Sequence, residues 1–119
     1  MDVLTNEKAA RICQAAIREL QRERWGFRQP AWNGLRKWQH ECLAEMVRQA
    51  RFGATPEQLH ACWCEFFTLH GWTYHEEWNL QKPTHPWLRP WCELAHDEQA
   101  VYQLMQMMVV HMTLDFSGV

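Results

Sequence analysis

The sequence predicts a mainly α-helical fold: a single compact domain of about four helices, with an ordered Trp/Pro-rich arm between the third and the last. Three observations carry this. Apolar residues recur at the i, i+3, i+4 spacing of a helix face in four separate stretches. The run Thr55-Pro56-Glu57-Gln58 has the form of a helix start. Pro83, Pro86 and Pro90 stand too close together for a helix to pass through them.

The first helix is expected over residues 6–24, with Ile12, Cys13, Ala16, Ile17 and Leu20 on its buried face and the arginines and glutamates outside. Pro30 and Gly34 punctuate the connection to a second helix over 35–52. Its stripe is Leu35, Trp38, Cys42, Met46 and Ala50, widened by Leu43 and Val47, and Gly53 suits the position just past its end. In the third helix Thr55 caps, Pro56 supplies the φ of a first helical residue, and Leu59, Cys62, Trp63, Phe66 and Phe67 point inward as far as Gly71. Short extended pieces are expected at 72–74 and 87–89. The last helix spans 97–112, buries Val101, Leu104, Met105, Met108 and Met112, and is expected to pack on the third.

A chain of 119 residues with 47% hydrophobic content suits one core, so 1–119 reads as one domain with a helical part, 1–53, and an arm-bearing part, 54–119. Eight tryptophans cannot all be buried in so small a core, so some belong to a rim, groove or partner surface. Five cysteines, an odd number, without a signal peptide, indicate free thiols and a cytoplasmic location. The longest apolar run, 104–112, is broken by Gln106 and is too short to span a membrane.

Net charge is −2, unevenly spread. Residues 1–53 carry ten Lys/Arg against six Asp/Glu, and residues 54–119 carry two against eight. With no long basic stripe, a nucleic-acid polymer is a poor partner. Both cations of the acidic part, Lys82 and Arg89, fall inside the aromatic–proline arm, which points to an anionic ligand.

That arm is the candidate site. Trp72 and Tyr74 offer faces for a flat ring, and Lys82, His85 and Arg89 offer charge. For Trp72 and Leu88, packing beneath a long loop is the stronger reading. Cys62 and Cys64 project about 200° apart on a helix, and Cys13, Cys42 and Cys92 stand alone, so no metal site is expected. No glycine-framed nucleophile turn, phosphate loop or dinucleotide fingerprint is present, and no catalytic residue is assigned.

The ordered set Gln29-Pro30-Ala31-Trp32, Trp38-Gln39, Ala54-Thr55-Pro56-Glu57, His60, Trp63, Gly71-Trp72, Tyr74, Lys82, His85-Pro86, Leu88 and Pro90 resembles the ryanodine-receptor repeat (RyR) domain in its small phage-encoded form, with Trp91 where that family has Tyr. The chain departs from it at Ala61, His75, Asn79, Pro83, Val101 and Tyr102, several of them polar positions in the family. The resemblance implies a helical domain without chemistry or cofactor, which reads a phosphorylated nucleotide-like signal of the ADP-ribose type. On that reading the ligand is held by His60, Trp63, Trp72, Tyr74, Lys82, His85, Arg89 and Trp91. In a phage such a protein would act in the host cytoplasm and withdraw a defence signal. The alternative is an inhibitor that blocks a host defence protein through exposed tryptophans such as Trp78 and Trp87. A homodimer is left open.

Overall fold

The computed structural model describes residues 4–26, 29–79 and 81–113. Helix α1 (Asn6–Trp25) starts where Thr5 Oγ1 accepts the Lys8 N–H at 3.1 Å, and it ends at Gly26, whose φ of +75° turns the chain out of the helix. Its buried face is Ala9, Ala10, Cys13, Gln14, Ile17 and Gln21, and Ile12, expected inside, is 45% exposed. The face is rotated because polar side chains of α1 hold the next connection. Gln14 Nε2 donates to Pro30 O at 2.7 Å, Arg18 Nε donates to Gln29 O at 3.0 Å, and Gln21 Oε1 accepts the Gln29 N–H at 3.0 Å. A count of apolar residues cannot see that two glutamines belong inside.

After a 3-10 turn at Trp32–Gly34, helix α2 (Lys37–Arg51) buries Cys42, Leu43, Met46, Val47 and Ala50 as expected. Gln39 Oε1 accepts the Arg36 N–H at 2.7 Å and closes its first turn. Helix α3 (Pro56–Leu69) opens with the expected capping box: Thr55 Oγ1 accepts from Gln58 N–H at 3.2 Å, and Gln58 Oε1 accepts from Thr55 N–H at 2.9 Å. Thr55→Ala is expected to cost about 1 kcal/mol in a urea titration, and no measurable loss would mean that the cap contributes nothing. Leu59, Cys62, Trp63 and Phe67 are buried; Phe66 is only half-buried, and His60 takes an inward place instead. Helix α4 (His96–Thr113) buries Val101, Tyr102, Met105 and Val109, while Leu104, Met108 and Met112 are partly covered.

Three long-range contacts set the helix directions. Arg24 Nε lies 3.0 Å from Asp97 Oδ2, joining the end of α1 to the start of α4. Arg51 donates to Asn6 Oδ1 and Leu4 O, both at 2.6 Å, joining the end of α2 to the start of α1. Gln106 Nε2 donates to Ala54 O at 3.1 Å, placing the later part of α4 at the turn before α3. Consecutive helices thus run up, down, up and down, with α4 packed on α3, α2 and α1.

The arm leaves α3 at Gly71, whose φ of +85° a glycine adopts without steric cost. Strand β1 (Thr73–Tyr74) pairs in parallel with β2 (Thr84–His85), with Thr73 opposite Thr84 and Tyr74 opposite His85. The second extended piece was expected at 87–89. It falls earlier because Pro86 has no N–H to extend the ladder, and because Trp87 turns into the core, where it is 4% exposed and meets Trp25 edge-on at 5.5 Å. Asn79 Oδ1 accepts from the N–H of Gln81 and Lys82 at 2.8 and 3.1 Å, which fixes the turn between the strands.

Candidate functional site

Two of the residues expected to bind a ligand belong to the support beneath the arm. Trp63 is 8% exposed and stacks on Phe67 with ring centroids 4.3 Å apart. His85 is 4% exposed and lies edge-on to Trp63 at 4.9 Å and to Trp87 at 5.2 Å. Its Nδ1 accepts the Trp87 N–H at 3.0 Å, and burial pushes its pKa down to about 3. The ring is neutral at pH 7 and supplies no charge to an anion, contrary to the expectation from sequence. The internal hollow that these rings border measures about 40 Å³, far below the volume of a nucleotide. Trp87, expected as an exposed anchor for a protein partner, is part of this core, and Trp78 is half-buried.

Lys82 stands on the exposed turn after Asn79 and lines neither the hollow that His85 borders nor the one that Arg89 borders. Lys82, His85 and Arg89 therefore do not converge. Strand β2 sends His85 inward, while the turn leaves Lys82 exposed.

Five expected residues do come together. His60, Trp72, Tyr74, Arg89 and Trp91 line an open cleft of about 650 Å³ between the outer side of α3, strand β1 and the segment 88–91. The floor comes from α3, where Glu57, Ala61, Cys64 and Thr68 recur at helical spacing. Ala61, Cys64 and Thr68 are small, and a run of small residues on the outer side of a Trp/Phe-rich helix is the sequence signal for this hollow. Leu88 and Pro90 form the far wall, and Tyr74, 50% exposed, stands at the rim.

Arg89 is held in place before any ligand arrives. Its Nε donates to Glu93 O at 3.1 Å, Nη1 to Pro86 O at 2.7 Å and Nη2 to Glu98 Oε1 at 2.7 Å. Glu98 Oε1 also accepts the Ala95 N–H at 2.8 Å. The guanidinium carbon sits 5.9 Å from the Tyr74 ring centre. Of five guanidinium N–H groups, these bonds leave two, and the adjacent carboxylate balances the charge. Arg89 thus fastens the arm to α4 as well as facing the cleft.

His60 Nε2 donates to Trp87 O at 2.9 Å, which fixes the tautomer, and its ring lies 5.8 Å from Trp91 and 5.0 Å from Tyr102. Burial first, with Arg89 adding to it, lowers its pKa and favours the neutral ring. Cys64 Sγ approaches His60 Nε2 at 3.3 Å, yet burial pushes that thiol up to about 11. A protonated thiol beside a neutral imidazole lacks the thiolate character of an activated nucleophile. Cys62 lies on the buried side of α3, apart from the cleft. Among the described residues no group of three or more His, Cys, Asp or Glu is placed to hold a metal ion. Val101 and Tyr102 are core residues, 3% and 2% exposed.

Comparison with known proteins finds no matching family model, no matching curated protein and no matching solved structure.

Proposed function

We propose that the protein is a non-catalytic binding module that holds the flat ring of a nucleotide-like molecule in the cleft between α3, β1 and the segment 88–91. The supporting observation is that His60, Trp72, Tyr74, Arg89 and Trp91, drawn from three parts of the chain, line one hollow of about 650 Å³. That volume lies within the roughly 300–1,000 Å³ usual for small-molecule sites. Indole and phenol faces stack on any nucleobase, and the spare N–H groups of Arg89 suit a phosphate or ribose oxygen. With Lys82 elsewhere and His85 neutral, stacking carries the affinity and charge contributes little. The setting implied by the RyR resemblance, a phage protein that withdraws a defence signal, rests on that resemblance alone. Of the anchors named for the inhibitor reading, Trp87 is 4% exposed and Trp78 is half-buried, which gives that reading less support than the cleft gives ligand binding.

Calorimetry with a panel of ADP-ribose-type and cyclic nucleotides tests this. Tyr74→Ala, at a 50% exposed site, is expected to leave the fold intact and weaken binding by about 1–3 kcal/mol, the range for one base–aromatic stack. Affinity is expected to change little between low and moderate salt. A steep salt dependence, or full affinity in Tyr74→Ala, would place the ligand elsewhere.

A further inference from the structure

A second hollow, of about 360 Å³, lies beside the cleft and shares only Trp72 with its lining. It is built where the start of α2 meets the end of α3 and the arm. Trp38 and Trp72 form its aromatic sides. The His70 ring lies parallel to Trp38, with centroids 4.2 Å apart and planes 6° apart, and His70 Nδ1 donates to Phe66 O at 2.8 Å, which locks that ring. Arg36, Gln39, His70 and Gln81 are the polar side chains that line this hollow. Gln39 has spent its Oε1 on the Arg36 N–H at 2.7 Å, so it presents its Nε2 hydrogens. Gln81 is positioned by the Asn79 turn, through a backbone bond of 2.8 Å. Arg36 has no acidic partner among the described residues, and no acidic residue lines the hollow. Lys37 and Lys82 follow two lining residues in the chain.

We infer that this hollow is a second binding site, for a small anion that carries a flat ring. Trp72 and the stacked Trp38–His70 pair offer aromatic faces to the ring, the Gln39 carboxamide hydrogens select oxygen acceptors on it, and Arg36 selects the negative charge. It contrasts with the first cleft, whose one arginine is already balanced by Glu98. A mononucleotide and an aromatic carboxylate share the required chemistry. The inference stands apart from the first cleft, because Arg36 and Trp38 take no part there.

The test follows the indole N–H signals of Trp38 and Trp72 in the labelled full chain during titration with AMP, benzoate, adenosine and inorganic phosphate. AMP or benzoate is expected to move the Trp38 signal saturably, and the tighter of the two identifies the source of the ligand. Adenosine and phosphate, each lacking one half of the chemistry, are expected to bind about tenfold more weakly or worse, a difference of one charge-assisted hydrogen bond. Arg36→Gln, at an exposed site, is expected to bring the affinity of the tighter anion down by a similar factor, whereas Tyr74→Ala leaves it unchanged. No saturable movement of Trp38 with either anion overturns the inference. So does undiminished affinity in Arg36→Gln, or a loss in Tyr74→Ala, which would assign the signal to the first cleft.

Discussion

Replacing Arg89 with alanine is expected to destabilise the protein by about 2–4 kcal/mol, although the residue sits in a loop. Removing one partner of a well-buried ion pair costs roughly 3–5 kcal/mol, because the other charge stays buried and unpaired. The Arg89 and Glu98 side chains are 22% and 12% exposed, so some solvent screening lowers the figure. The substitution also strips donors from Pro86 O and Glu93 O, carbonyls that hold the last turn of the arm. Glu98→Gln in the same chain is expected to recover part of the loss, since it removes the orphaned charge. Its side-chain oxygen can still accept from Ala95 N–H. Denaturant titration of the single and double variants checks this; a single-variant loss below about 0.5 kcal/mol would mean that Arg89 does not fasten the arm.

Acid is expected to unfold the protein through its buried histidines. His85 has its pKa pushed from 6.5 down to about 3 by burial. The unfolded chain therefore binds a proton that the folded chain refuses between those two values. Stability is fully present above about pH 6.5 and falls as the pH drops toward 3, at about 1.4 kcal/mol per unit for one such group. The full interval amounts to on the order of 3–5 kcal/mol, and His60, whose pKa is lowered by the same cause, adds loss of the same sign. His85→Gln retains an acceptor for the Trp87 N–H but cannot titrate. That variant is expected to be less stable at pH 7, because it gives up ring contacts with Trp63 and Trp87, and to show a flatter stability profile from pH 6.5 to 4. An unchanged slope in His85→Gln would assign the acid sensitivity to other groups.

The helices were legible because their signals are local. Thr55-Pro56 and the stripe Cys42, Met46, Ala50 need no distant partner to be understood. The inward-facing Gln14 and Gln21 were not legible, because their warrant is the backbone of residues 29–30. In the arm, residue type announced a site but not its internal direction. Pro86 and the needs of the core decide that His85 and Trp87 turn inward and that Tyr74 stays out. Arg89 looked like a free cation because Glu98, its partner, lies nine residues later at the start of another helix. The wall of the second hollow comes from Arg36, Trp38 and Gln39, which on a helix pattern look only like a first turn.

The most direct test of the account is to see where a nucleotide lands. Amide and indole signals of the labelled protein are followed during titration with ADP-ribose. The expected result is saturable movement at Thr73, Tyr74 and Arg89 and at the Trp91 indole, all of which line the cleft, with Met107 and Val110 on the exposed side of α4 unmoved. Saturable movement confined to residues outside the cleft, or none at any concentration reached, would contradict the assignment of this cleft as the binding site.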